Sequence, residues 1–156
     1  MRGRRVADAI YGAILVIAVV AALSEDPAAT SVAILGGALA TSLVFWIVHV
    51  YAEMLDRKTF GDTTPTWPLL RTAAWQEWPL VQAALPPLVP LLLSAAGLFG
   101  RSLAVNLSIG VGLAELAAWG YAAGQAMEES KLRSTLTAGG AVALGALLAL
   151  LKNLVH

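Results

Sequence analysis

The chain has 156 residues, of which 58% are hydrophobic and 13% are charged. A soluble domain of this length has too small an interior for so many apolar side chains, so the composition predicts an integral membrane protein with the lipid bilayer as its solvent. Ten basic and ten acidic residues give zero formal net charge, and there is no cysteine. These features argue against a nucleic-acid partner, a disulfide framework and a thiolate metal site.

Five apolar stretches each supply the roughly 20 residues that a helix needs to cross a hydrocarbon core of about 30 Å. They cover approximately residues 6–23, 30–54, 79–99, 102–127 and 134–155. The sequence therefore predicts an all-α fold, with residues 1–156 as a single transmembrane helical domain of about five helices. The short link before the second helix predicts an antiparallel hairpin, with Asp26 or Thr30 as the cap of that helix.

The amino terminus, with its basic residues followed by an apolar run, is similar to a signal peptide. However, Asp8 and Tyr11 interrupt the entry to the apolar run, and the run ends in Ser-Glu-Asp-Pro instead of the small-x-small pattern of a cleavage site. We therefore expect the first helix to remain in the mature protein.

Lysine and arginine predict the orientation of the helices. With five crossings, eight of the ten basic residues fall on one side of the membrane, and only Arg101 and Lys152 fall on the other. Because cytoplasmic loops are enriched in basic residues, we expect the amino terminus and the loop 55–78 inside the cell and the carboxyl terminus outside. The eight residues are Arg2, Arg4, Arg5, Arg57, Lys58, Arg71, Lys131 and Arg133.

The loop 55–78 and the third helix each contain a pattern that shapes the backbone. Trp67, Trp75 and Trp78 have the spacing of a short interfacial helix whose rings lie in the headgroup layer. Three prolines in the third helix remove backbone donors, so we expect a kinked or broken helix that packs inside the bundle or faces a cavity. These prolines are Pro86, Pro87 and Pro90.

Small residues recur at positions that allow two helix backbones to approach closely. The fourth helix has Gly120 and Gly124 at a four-residue spacing, which supports helix contacts in lipid. Further glycines with this predicted role are Gly36 and Gly37 in the second helix and Gly140 in the fifth. We expect these faces to touch other helices, either within the chain or between the subunits of a homo-oligomer.

Glu115 lies near the middle of the fourth predicted crossing. A charge at this depth costs about 2.5–3.5 kcal/mol on insertion scales, so the side chain must face protein or water. One interpretation is a carboxylate that exchanges an ion or a proton. The alternative is a protonated carboxyl group that donates a hydrogen bond to Thr41 or Ser42 in the second helix.

A second group of ionisable residues is predicted at the cytoplasmic boundary. Asp8 lies near this end of the first helix, and His49 and Glu53 lie one turn apart near the same end of the second. Because these helices form a hairpin, Asp8 is able to meet His49, and a histidine paired with a carboxylate can titrate near neutral pH. The alternative for Asp8 is an exposed ion pair with Arg4. The alternative for His49 is a residue that only anchors the helix or makes a hydrogen bond.

The first two helices also carry a sequence pattern. Arg2 precedes Asp8 by six residues, Tyr11 follows Asp8 by three, and Trp46 precedes His49 by three. This pattern resembles the endolysosomal potassium/proton channels and their prokaryotic relatives, whose first helix begins R-x-x-x-F-S-D and whose second ends near W-x-x-H-H. The resemblance implies a cytoplasmic-side cluster that steadies a pore-lining first helix. The residues of this cluster are Arg2, Asp8, Trp46 and His49.

The chain departs from the family pattern at several points. Val6 and Ala7 replace the Phe and Ser of the first motif, and Val50 replaces the second His of the other. Five predicted helices compare with six in the family. The resemblance is confined to the first two helices.

The chain contains no motif that predicts an enzyme. There is no Gly-x-Ser-x-Gly, no His-Glu-x-x-His and no phosphate-binding loop. Ser42 and His49 would be the only nucleophile and base, and they lie seven residues apart on one helix face, too far for a hydrogen bond. We expect no catalytic activity, no cofactor and no metal site.

Two classes of function remain for an integral protein that we expect in a prokaryotic plasma membrane. One is a channel or transporter that passes a monovalent cation or a proton, as a homo-oligomer, which explains Glu115 and the resemblance. The alternative is a non-conducting membrane subunit or scaffold that binds partner membrane proteins. In that case Glu115 makes a hydrogen bond between subunits.

Overall fold

The structure is a computed structural model that describes the backbone of residues 2–126 and 131–154 and the side chains of residues 6–125 and 134–147. Within these ranges the chain is helical and has no strand, which confirms the all-α fold. The helices are α1 (Arg2–Leu23), α2 (Ser31–Thr59), α3 (Thr66–Gln76), α4 (Trp78–Ala95), α5 (Arg101–Ala126) and α6 (Lys131–Leu154).

Four helical segments of the described chain are long and apolar enough to cross a membrane. They are Val6–Leu23, Ser31–Thr59, Thr66–Ala95, which comprises α3 and α4, and Arg101–Gln125. The part of α6 whose side chains are described, Ser134–Leu147, is a shorter apolar helix. Each predicted stretch therefore coincides with a helix, although the predicted ends at residues 127 and 155 lie outside the described residues.

The link between α1 and α2 is closed by side-chain hydrogen bonds. The Thr30 Oγ1 accepts the Ala33 amide at 3.2 Å, so Thr30 is the cap of α2. Asp26, the other predicted cap, instead accepts the Ala28 amide at 2.8 Å within the link. The Thr30 bond satisfies a backbone donor that the helix start leaves without an intrahelical partner, and the Asp26 bond satisfies a donor in the link.

Arg101, the first residue of α5, joins that helix to the link between α1 and α2. Its guanidinium donates to the carbonyl oxygens of Ser24, Asp26 and Pro27 at 2.5, 2.8 and 3.1 Å. These carbonyls follow the end of α1, where helical partners run out. The side chain of Arg101 thus connects α5 to three backbone carbonyls of the α1–α2 link.

Helix α1 lies in the middle of the bundle and packs against α2, α4, α5 and α6. Its residues Ala13, Val16, Ile17 and Val20 are at most 1% exposed. Lipid chains are as apolar as these side chains, so burial gains little from the removal of water and depends on close packing. The aliphatic middle of α1 therefore forms the core of the bundle.

Helix α4 is one continuous helix across its three prolines, so of the kinked or broken helix that the sequence predicts, the broken form is absent. Pro87 and Pro90 are buried, whereas Pro86 is exposed. The Ser108 hydroxyl of α5 donates to the Pro87 carbonyl at 2.5 Å. Of the two predicted environments, α4 has the packed one, because its proline-containing turn is covered by α5.

The predicted short helix between the second and third stretches is α3, and a tight turn sets its start. Gly61 has a φ of +87°, a conformation that favours glycine. Asp62 Oδ1 accepts the Thr64 amide at 2.8 Å, and Lys58 Nζ donates to the Thr64 carbonyl at 2.5 Å. Hydrogen bonds from the Thr64 hydroxyl and amide hold the pKa of Asp62 below its ordinary value.

The close approach predicted at Gly120 and Gly124 occurs between α5 and α6 of the same chain. A Cβ on Gly120 would lie 2.8 Å from the Ala138 Cα, and a Cβ on Gly124 would lie 2.5 Å from the Ser134 Cα. Both distances are too short for a real contact with backbone atoms. The two glycines are therefore required by packing within the chain.

The other predicted packing glycines have different surroundings. Gly37 faces the side chain of Leu23, so it belongs to the α1–α2 hairpin. Gly36 and Gly140 have open space where a Cβ would project. Within the described part of the chain, these two glycines are not used by a close helix contact.

Replacing Gly124 with alanine should destabilise the protein by about 1–3 kcal/mol, because the new methyl group must displace the backbone of α6. The measurement is unfolding of the purified protein in mixed micelles. Gly140→Ala is the matched control and should leave the unfolding midpoint unchanged or raise it slightly. Equal midpoints for Gly124→Ala and wild type would contradict the α5–α6 contact.

Candidate functional site

Glu115 lies in the middle of α5 and is partly buried. Its Oε1 accepts a hydrogen bond from the Trp119 Nε1, one turn later, at 3.2 Å. Its Oε2 is buried and has no hydrogen-bond partner in the described part of the chain. The carboxyl group is therefore half satisfied, with one oxygen engaged and one unpaired.

The predicted hydrogen bond from Glu115 to α2 is not formed. The Thr41 hydroxyl donates to the Gly37 carbonyl and the Ser42 hydroxyl to the Ala38 carbonyl, each at 2.8 Å. These bonds use the hydroxyl hydrogens but leave oxygen lone pairs that could accept from Glu115. The Glu115 Oε2 nevertheless has no partner among the described residues. Depth in the membrane was a poor guide to contact here, since α2 packs mainly against α4.

The unpaired Oε2 restricts what Glu115 can do. An ionised carboxylate is expensive in a membrane, and a buried oxygen without a hydrogen bond carries a further cost. A proton, a water molecule or a donor from another subunit would remove this cost. Each of these three would come to Glu115 from outside the described part of the chain.

His49 contacts α1 through aromatic packing. Its Nδ1 lies 2.9 Å from the Phe45 carbonyl of the preceding turn. Its ring centroid lies 5.6 Å from that of Tyr11 and 6.3 Å from that of Phe45. His49 therefore contacts α1 at Tyr11, one turn after Asp8.

Glu53 forms part of a connection between α2 and α3. It is 6% exposed, and its Oε1 accepts from the Arg57 Nε at 2.7 Å. Arg57 also donates through Nη2 to the Oε1 of Gln76 at the end of α3. Because the guanidinium bonds both Glu53 on α2 and Gln76 on α3, this partly buried pair connects α3 to α2.

Trp46 contacts α3 and the start of α4. Its Nε1 donates to the Ala74 carbonyl of α3 at 3.2 Å, and its ring meets that of Trp78 edge-on at 6.0 Å. Of the residues in the cluster that the resemblance implies, His49 contacts α1, and Trp46 contacts α3 and α4. The side chain of Arg2 lies outside the described residues.

Glu77 is a buried acidic residue that the sequence analysis did not single out. It is 3% exposed and lies between α3 and α4, immediately before Trp78 and Pro79. An acidic residue followed by a proline near the first helical turn is a typical helix start, because the carboxylate faces the positive end of the helix dipole. That signal was present in the sequence.

The described residues contain no group of three histidine, cysteine or acidic side chains that could hold a metal ion. Glu53 and Glu77 are the buried acidic residues among them, and Glu53 is already paired with Arg57. Of the predicted ion-path residues, only Glu115 has a buried oxygen without a partner. The site is therefore built around Glu115 and Trp119 on α5.

No protein-family model, curated protein or solved structure matches this chain. The resemblance of the first two helices to the potassium/proton channels therefore stays a prediction that depends on a few residues.

Proposed function

We propose that the protein passes a proton or a monovalent cation across a prokaryotic plasma membrane, as a homo-oligomer, and that Glu115 is the exchanging group. The observation that carries this proposal is the buried Oε2 of Glu115, unpaired in the described part of the chain in the middle of α5. A carboxylate at this depth is protonated, hydrated or paired. Exchange between the protonated and hydrated forms gives a path for the ion.

The proposed path runs along α5 rather than along α1. The resemblance implies a pore-lining first helix, but the aliphatic middle of α1 is enclosed by four other helices. Glu115 instead borders a row of exposed small residues on α5 that no helix of the described chain covers. The row comprises Gly110, Ala114, Ala118 and Ala122, at four-residue spacing.

This row supports the proposed homo-oligomer. Exposed small residues at four-residue spacing allow a helix of another subunit to approach the α5 backbone. A second subunit in this position would lie beside Glu115 and would enclose its unpaired oxygen together with water or an ion. The interface thus differs from the predicted one at Gly120 and Gly124, which are already covered by α6.

The same row also fits the second candidate function, a non-conducting subunit or scaffold that binds partner membrane proteins. In this case a donor on the partner would bond the Oε2 of Glu115, and no ion would move. The two candidates share an interface and differ in whether the carboxyl group exchanges its proton.

The proposed topology has five crossings, with the amino terminus in the cytoplasm and the carboxyl terminus outside. The basis is the excess of basic residues at one end of the bundle. A reporter that is active only outside the cytoplasm should therefore be active when fused to the carboxyl terminus. Activity of a cytoplasm-only reporter at the same position would contradict five crossings.

Glu115→Gln should reduce ion or proton flux into liposomes by about a hundredfold, the lower range for a positioned proton-transfer group. Glutamine keeps the acceptor for Trp119 but has no proton to exchange. Flux of protons, potassium and sodium is measured with dyes over a range of pH and voltage. Asp56→Asn, which removes an exposed carboxylate from α2, is the matched control and should conduct as wild type does.

Two results would contradict the transport proposal in different ways. Equal flux for wild type and Glu115→Gln would remove Glu115 from the path. The absence of flux through folded wild-type protein under all conditions would contradict transport altogether and favour the scaffold.

Ala118→Leu should weaken the oligomer by at least about tenfold in dissociation constant, the factor that corresponds to roughly 1.4 kcal/mol. The leucine would project from the exposed row on α5 and hold the neighbouring helix away. Native mass spectrometry measures the subunit number, and circular dichroism checks the fold. Ala52→Leu, at an exposed position on α2, should leave the oligomer unchanged, and an unchanged oligomer for Ala118→Leu would exclude this face.

A further inference from the structure

A groove of about 480 Å³ lies between the second half of α2 and helix α3. The wall that α2 contributes is apolar. The Trp46 indole of this wall donates to the Ala74 carbonyl and holds α2 against α3. No carboxylate lines the groove. The residues that matter here are Trp46, Ile47 and Val50 on α2 and Leu70, Arg71 and Ala74 on α3.

The outer face of α3 has the composition of a membrane interface. Trp67 and Trp75 are 75% and 65% exposed, and Arg71 lies between them at helical spacing. The opposite face holds Leu69 and Ala73, which are buried against the bundle. Tryptophan rings gain most in the headgroup layer, where the indole body is apolar and the N–H is wet.

Arg71 differs from the other basic residues near the groove. Arg57 is bonded to Glu53 and Gln76, and Lys58 donates to the Thr64 carbonyl. Arg71 is exposed and makes no hydrogen bond or ion pair with the described residues. Its guanidinium is thus available at the edge of an apolar groove, with a geometry that suits two phosphate oxygens.

We propose that this groove binds one phospholipid with an anionic headgroup. One acyl chain lies along Ile47 and Val50, and the phosphate bonds to Arg71. The neighbouring Trp67 packs at the level of the glycerol. Anionic lipids are favoured because Arg71 carries a positive charge that no described residue pairs with, and the groove offers no carboxylate to oppose it.

The test uses the full-length protein purified in detergent and titrated with phosphatidylglycerol or phosphatidylcholine, with bound lipid counted by native mass spectrometry. Wild type should bind one phosphatidylglycerol per chain about fivefold more tightly than phosphatidylcholine, the factor for one basic side chain near an anionic surface. Arg71→Gln should abolish this preference. Lys58→Gln, which removes a nearby charge outside the groove, should retain it.

A second pair of variants tests the acyl-chain part of the site. Ala74→Leu fills the groove and should reduce binding of both lipids, whereas Ala52→Leu, on the opposite side of α2, should not. Equal affinity of wild type for the two lipids, or an unchanged preference in Arg71→Gln, would overturn the proposal. A fall in subunit number in Ala74→Leu without loss of lipid would identify the groove as a contact between copies and would also overturn it.

Discussion

Close approach of helix backbones is the constraint on which this bundle depends. In lipid, apolar side chains gain little by leaving their solvent, so the helices are held by shape and by a few hydrogen bonds. Glycines meet this constraint where α5 crosses α6, at Gly120 and Gly124. Polar side chains hold other helices together. Ser108 of α5 donates to the Pro87 carbonyl of α4, and Arg101 of α5 donates to carbonyls of the α1–α2 link.

The two ends of the bundle have different chemistry. At one end, Arg101 and the hydroxyl pair of Ser31 and Ser94 connect helices through short polar contacts. At the other end, α3 is fixed to α2 by Arg57 and presents exposed tryptophans. Glu115 lies between these ends. The group proposed to exchange protons is therefore separated from the polar residues and tryptophans at both ends of the bundle.

The sequence predicted those features that depend on local patterns. Hydropathy predicted the helices, tryptophan spacing predicted α3, and the Thr30 cap followed from its position before an apolar run. Contacts between helices were predicted less well, because depth does not determine which helices are neighbours. Glu115 therefore lacks the partner expected on α2, and the small residues at Gly120 contact α6 of the same chain.

The central position of α1 has a consequence for biosynthesis. Three of the helices that enclose α1, namely α4, α5 and α6, follow it in the chain and are therefore made after it. During synthesis the small and aliphatic face of α1 is therefore in contact with lipid or with the insertion machinery until α4 and α5 cover most of it, and α6 covers the remainder. Assembly of the core is a late event, and a chain that ends before α6 leaves one side of its first helix uncovered.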